Sequence, residues 1–312
     1  MSFVTALEQG QTALELGLIC SLTVLALYLS YSMLNVCDLS TDGCFTLGAV
    51  VGAVVALSGH PYLSLPAAMG AGMASGFLVS LLQTKLGVNS LLAGIIVNTG
   101  LYSVNIAIMG GSSLLNMNKT DTVFSLAKDL LAGTFLAKQS KLLVALLAVA
   151  LAVTFLVLFL RTRLGLALRA TGNNPDMVRS SSINTAFTTT VGLCLSNALT
   201  ALSGCLLAQS QKSVDINLGQ GMVTIALASL LIGGVLCGKK SGLLRRAICA
   251  VLGAILFRLV YTVALRLNMP AFMLKLVSSV IVVLAISVPY LKAGWPTLRR
   301  RLRHRKVVKG GA

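Results

Sequence analysis

Charge is scarce in these 312 residues: 11% of them are Asp, Glu, Lys or Arg, and only 8 are acidic. Histidine occurs twice, tryptophan once, and aromatic residues make up 5%. So little charge excludes a solvated, disordered chain. A mean hydropathy of +0.90 with 56% hydrophobic residues excludes an ordinary soluble domain. The apolar residues form continuous runs rather than ten-residue alternating ones, which excludes an outer-membrane barrel. Each pass through a hydrocarbon layer ~30 Å thick takes about 20 helical residues. The sequence therefore predicts an all-α, polytopic transmembrane helix bundle.

Catalytic groups are equally sparse. His60 stands beside Pro61 at a span end and His304 lies in a basic tail, neither with a triad partner nearby. The acidic residues are Glu8, Glu15, Asp38, Asp42, Asp121, Asp129, Asp176 and Asp215, with no repeated acidic pair inside a span. Cys20, Cys37, Cys44, Cys194, Cys205, Cys237 and Cys249 have no ligand spacing and read as small buried hydrophobes. Gly233 to Ser241 nearly spells a phosphate-binding loop. Lys240, however, stands where the magnesium-holding Ser or Thr belongs. The expectation is a non-enzymatic chain with no catalytic residue, no metal site and no cofactor of its own. Glu8 and Glu15, with no basic residue ahead of the first apolar run, argue against a cleaved signal peptide.

Nine apolar spans are expected, at 14–34, 45–59, 63–84, 88–111, 141–160, 185–208, 222–237, 243–265 and 271–291, within a working range of eight to ten. Those at 45–59 and 222–237 are short for a full pass, which points to broken or re-entrant helices packed among others. A transmembrane domain thus covers 1–291 and a basic tail 292–312. Net charge is +17, yet it collects in the tail and in short connections, the pattern of positive-inside topology rather than of a nucleic-acid surface. With Arg161 to Arg179 inside, alternation places Lys85, Lys239, Lys240, Arg245, Arg246 and the tail on the same side. The N-terminus is then outside and the C-terminus cytoplasmic.

The long polar connection from Ser112 to Ser140 falls outside by this alternation. It reads either as a cover or docking element or as an amphipathic helix lying at the interface. Small residues at Gly48, Gly52, Gly70, Ala71, Gly72, Gly76, Gly233 and Gly234 suit close helix packing in lipid.

Between Arg161 and Asn184 the local chemistry spells a short helix. Asn174 is suited to cap it, Pro175 to open it, Asp176 to sit at its positive end and Arg179 near its last turn. Met177, Val178 and Ile183 would then be available to a partner's groove. A plain interhelical loop fits the same residues.

The stretch Gly165 to Pro175, with Ile183 and Asn184 beyond it, resembles the cytoplasmic coupling segment of ABC importer membrane subunits in the branched-chain amino acid and sugar permease superfamily. Asp38 to Gly43 running into Phe45 to Ala49, and Lys85 to Ala93, are similar to two further blocks of that family. The nearest subgroup is the permeases for tryptophan or tyrosine uptake. Ser182 stands where the superfamily commonly has glycine before Ile-Asn, so a different angle is expected between the coupling helix and the next span.

The resemblance implies a permease subunit in the bacterial cytoplasmic (inner) membrane, moving an aromatic or branched-chain amino acid inward. Its implied partners are a cytosolic ABC ATPase dimer that binds ATP and Mg, a second permease copy, an extracytoplasmic substrate-binding protein and membrane lipid. No nucleic acid is implied. Related subunits carry nucleosides or sugars, and a self-sufficient ion-coupled carrier is the rival class. The implied coupling segment, about 165–184, includes Arg169, Gly172, Asn173, Asn174, Pro175, Asp176, Met177, Val178, Arg179 and Ile183.

Residues for the translocation pathway come from polar groups at membrane depth: Asp38, Ser40, Asp42, Asn98, Asn105 and Asn197. Asp38 to Gly43 reads either as a broken helix facing the pathway or as a cytoplasmic loop. Asn98, Tyr102, Ser103, Asn105, Ser196 and Asn197 are expected to face the bundle interior, for helix-to-helix hydrogen bonds or for ligand contact.

Overall fold

The computed structural model describes residues 3–118, 120–130, 139–237 and 242–266, with isolated positions 276, 279, 280, 283 and 287. The ninth expected span, 271–291, falls almost wholly outside the described residues, and the basic tail, 292–312, entirely so.

Each of the first eight expected spans coincides with a helix. α1 (Phe3–Leu27) continues as a π-helical turn (Tyr28–Met33). α2 (Thr41–Leu57), α3 (Ser64–Thr84) and α4 (Ser90–Ile108) follow. A short strand β1 (Leu114–Asn116) and α5 (Val123–Leu130) lead to α6 (Ser140–Arg161). α7 (Arg163–Asn173) and α8 (Pro175–Ser180) form an elbow before α9 (Thr185–Gln211). β2 (Ser213–Asp215), α10 (Met222–Cys237) and α11 (Leu243–Arg266) complete the described chain. Among the described residues six helices are long and apolar enough to cross a membrane; α2 and α10 are shorter.

α9 is the axis of the bundle. Its neighbours approach it through residues too small to hold them away. A side-chain carbon at Gly48 of α2 would meet the Ala201 carbonyl, and one at Gly52 the Cys205 thiol. On α3, Gly72 and Gly76 lie equally close to the main chain at Asn197 and Leu193. These contacts show that α2 runs parallel to α9 and α3 antiparallel. The stripes seen in the sequence thus serve packing, where dispersion between close backbones replaces the hydrophobic drive that lipid cannot supply. Gly233, inside the near phosphate-loop motif, abuts the Cys249 carbonyl of α11. Gly70 and Gly234 meet nothing.

The elbow stands at one end of the bundle and the β1–β2 pair at the other, with Leu114 opposite Asp215 and Asn116 opposite Ser213. The β end is held down by Gln209 near the end of α9. Its side chain donates to Ser64 Oγ at 2.6 Å and accepts the Val123 N–H at 2.9 Å, so one amide joins α3, α5 and α9. The start of α5 is therefore anchored on the bundle. None of the seven cysteines is in a disulfide; five are buried, while Cys37 and Cys194 are half-buried.

Candidate functional site

The chain breaks near the middle of α9. After the π-helical turn, residues 34–40 reverse direction in irregular backbone, with Asn35 left-handed at φ 57°. Asn tolerates that conformation because its short amide can bond locally. Asp38 and Ser40 in this segment are 1% and 0% exposed. Such backbone is tolerated inside a bundle only when its polar groups find partners. Asp38 supplies them: Oδ1 accepts the Ser40 N–H at 2.8 Å and Oδ2 accepts the Asn197 amide at 3.0 Å. The segment at Asp38 is thus buried and packed against α9.

Four residues further on, Asp42 spans a second gap. Oδ1 accepts the Val223 N–H at 2.8 Å and Oδ2 the Gly221 N–H at 2.9 Å, while Thr46 Oγ1 accepts the Gly219 N–H at 3.1 Å. α10 therefore starts beside the first turn of α2 and runs toward the elbow, whereas α2 runs toward the β pair. Two short helices meet N-terminus to N-terminus near the middle of α9. Each end carries roughly half a positive charge, and the carboxylates of Asp38 and Asp42 offset that crowding.

All six residues expected along the pathway gather here. Asn105, 1% exposed, donates to the Gly43 carbonyl at 3.3 Å, and Asn98 lies half-buried two turns away against Gly43. Three buried oxygens in this cluster, Ser40 Oγ, Asn105 Oδ1 and Asn197 Oδ1, have no hydrogen-bond partner. Ser196 is also buried and bonds the Ala26 carbonyl at 2.8 Å. Tyr102 and Ser103 are exposed on the outer side of α4, contrary to expectation. Helical periodicity accounts for the split, since 98, 101 and 105 share the inner face while 102 lies at its flank and 103 falls opposite.

The elbow is the second candidate site. Asn174 caps α8, its Oδ1 accepting the Asp176 and Met177 N–H groups at 3.1 Å each, with Pro175 in the first turn. Asp176 and Arg179 lie 3.9 Å apart on the exposed face. α7 allows no slack: Gly172 rests on the main chain of Met33 and Leu34, and Thr171 Oγ1 meets Thr188 Oγ1 of α9 at 2.9 Å. Arg179 Nε donates to Thr185 Oγ1 at 3.2 Å, and Asn184 caps α9 through Ala186 and Phe187. Met177 is 67% and Ile183 38% exposed, but Val178 is buried at 4%. Val178 is thus withdrawn from any groove-filling role, because α8 needs one apolar residue turned inward to seat it. Arg169 is half-buried, whereas Asn173 is exposed. They line a cavity against residues 32–35 and the start of α11.

Ser182, in the position where glycine is common, has φ 61°. The serine adopts a left-handed turn that glycine takes freely, at the cost of local strain. Sequence reasoning missed Gly219, Gly221 and Val223 as partners of Asp42. Two glycines directly before a short apolar run were the available signal.

Residues 11–286 match the family described as branched-chain amino acid transport system, permease component. The chain is 33% identical over 268 residues to a tyrosine transport system permease protein of Clostridioides difficile, covering 86% of each chain. It is 30% identical over 281 residues to an uncharacterized protein of Rickettsia prowazekii, covering 88% of this chain and 96% of the relative. A probable branched-chain amino acid transport permease protein LivH of Methanocaldococcus jannaschii is 27% identical over 259 residues, 78% of this chain and 73% of the relative. No solved structure matches the chain significantly.

Proposed function

The chain belongs to the family of branched-chain amino acid transport permeases, and we propose that it is the membrane subunit of an ATP-driven importer for an aromatic or branched-chain amino acid. The two named relatives are a tyrosine and a branched-chain amino acid permease, which supports that substrate class. In this reading the substrate arrives from an extracytoplasmic binding protein at the β end, and the elbow faces the cytoplasm with the C-terminal tail. A second permease copy completes the pathway. ATP and Mg are bound by a separate ATPase pair.

The observation that carries the proposal is the braced elbow. A stroke delivered to α8 reaches α9 through Arg179 to Thr185 and Thr171 to Thr188, and reaches α1 through Gly172 on Met33. Stiff, packed elements transmit displacement instead of absorbing it. Met177 and Ile183 are the apolar contacts left outward for the engine. From α9 and α1 the motion arrives where Asn197 holds Asp38, and Asp42 passes it to α10. Asp38, Asp42 and Asn197 are assigned here to bracing the broken helices. Half-buried Asn98 and the unpartnered oxygens of Ser40, Asn105 and Asn197 offer polar contacts to a passing solute without a deep binding well.

The test is co-purification of the full chain with its candidate ATPase and measurement of ATP hydrolysis in vesicles. A stable assembly is expected, with hydrolysis stimulated by loaded binding protein and lost when Pro175 to Arg179 becomes a Gly-Ser linker. A chain that accumulates substrate alone, driven by an ion gradient, sinks the reading.

A further inference from the structure

At the β end an open cavity of about 580 Å³ lies between the turn that joins α2 to α3 and the residues that lead into α5. Leu57, His60, Tyr62 and Leu63 line one wall, Asp121 and Leu126 the other. One side chain pins both. Gln209 donates to Ser64 Oγ at 2.6 Å, and that hydroxyl donates to the Pro61 carbonyl, which fixes the turn. The same amide accepts the Val123 N–H at 2.9 Å, two residues after Asp121. A cavity held on both sides is formed before anything enters it, so little free energy is lost to ordering it on binding.

The lining divides into polar and apolar parts. Asp121 is its one carboxylate and His60 its one imidazole among the described residues, and no lysine or arginine lines it there. Both side chains are exposed, and neither has a hydrogen bond or ion pair to another described residue. The carboxylate only accepts, while the imidazole carries an N–H to donate. Leu57, Tyr62 and Leu63 are large side chains left exposed beside them, and Leu126 is half-buried. Sites for small molecules combine apolar walls with a few polar groups that fix orientation. A solute that bears an ammonium group, a carboxylate and a bulky apolar side chain uses all three kinds of surface.

We propose that this cavity is an outer subsite for a free amino acid with a large apolar side chain. Asp121 takes the ammonium group, His60 donates to the carboxylate, and the side chain lies against Tyr62, Leu63 and Leu126. Choosing an amino acid among ammonium-bearing solutes rests on the importer reading, in which the cavity is met by the solute as it leaves the delivering protein. Affinity is weak, about 1 mM, because a stop on a conduit must release what it holds.

The test is binding of radiolabelled L-tyrosine to the full-length chain in detergent, with L-leucine, tyramine, hydroxyphenylpropionate and phosphatidylethanolamine as competitors. L-leucine is expected to compete. Tyramine lacks the carboxylate and hydroxyphenylpropionate the ammonium group, so each is expected to compete about tenfold less well, the effect of one charge-assisted hydrogen bond. Asp121→Asn and His60→Ala are each expected to weaken L-tyrosine about tenfold, with unchanged thermal melting as the folding control. No binding of L-tyrosine, equal competition by the two truncated analogues, or either folded variant binding as wild type overturns the proposal. Displacement by phosphatidylethanolamine at concentrations where L-leucine competes assigns the site to a lipid headgroup and overturns the amino acid. The ATPase plays no part in this measurement. Absent binding in a chain whose assembly hydrolyses ATP on stimulation sinks the subsite alone, whereas binding retained by a chain that joins no ATPase sinks the importer reading alone.

Discussion

Asp42 in the first turn of α2 holds the main-chain N–H of Val223 at 2.8 Å, so a single carboxylate joins two helices that run away from each other. Its second oxygen takes the Gly221 N–H at 2.9 Å. Neither bond links residues close in sequence, yet together they set where α10 begins.

Asp42→Ala is therefore expected to cost about 1–3 kcal/mol, because it removes two hydrogen bonds and leaves the partly buried Val223 N–H without its acceptor. Asp42→Asn keeps one acceptor oxygen and is expected to cost about half as much. Thermal melting of the purified protein in detergent checks both. Equal stability of wild type and Asp42→Ala would remove the clamp.

Ser182 pays for a left-handed backbone at φ 61° that L residues avoid. Ser182→Gly is expected to stabilise the protein by about 1 kcal/mol, whereas Ser182→Val, branched at Cβ, is expected to destabilise it by more than that. A higher midpoint for the glycine variant and a lower one for the valine variant are the readings to seek.

Gly48 and Gly70 give a matched pair. A Cβ at Gly48 collides with the Ala201 main chain, while one at Gly70 meets open space. Gly48→Ala is expected to separate α2 from α9 and cost about 1–3 kcal/mol, the range for overpacking. Gly70→Ala is expected to be neutral or slightly stabilising, since alanine favours helix. Folded yield in membranes reports the contrast.

The elbow separates stability from coupling. Asn174→Ala removes the cap of α8 and is expected to cost about 1 kcal/mol of local stability. Met177→Asp alters an exposed residue and leaves folding intact. Under the importer reading both lower substrate-stimulated ATP hydrolysis, but only Asn174→Ala increases hydrogen exchange across α8.

Orientation has its own check. Asp129 in α5 and Met177 in α8 are both exposed, one toward the β end and one at the elbow. In intact cells, Asp129→Cys is expected to react with a membrane-impermeant thiol reagent and Met177→Cys only after permeabilisation. The reverse pattern inverts the assigned topology.

Much of this was legible in the chain because the relevant physics is local. Apolar runs of about 20 residues favour spanning helices, and the first eight expected spans each fall on a helix, most of them within about four residues at either end, though α1 starts well before its expected span. Asn174, Pro175 and Asp176 spell a helix start that depends only on neighbouring N–H groups, and α8 begins there. The two short runs at 45–59 and 222–237 already announced incomplete passes. Family membership, too, was readable from the motif around Gly172 to Pro175.

Long-range pairing was not legible. That Asp38 would take Asn197, and Asp42 the start of α10, depends on residues more than 150 positions apart meeting at one depth. Periodicity could not choose between Tyr102 and Asn105 until neighbouring helices defined the inner face of α4. Val178 and Met177 look alike as apolar letters, and only the seat of α8 on the bundle turned one in and left the other out. Local chemistry decides where a helix starts, stops and crosses a membrane. Which polar groups are left to satisfy one another is decided by the packing, since lipid offers them no partner.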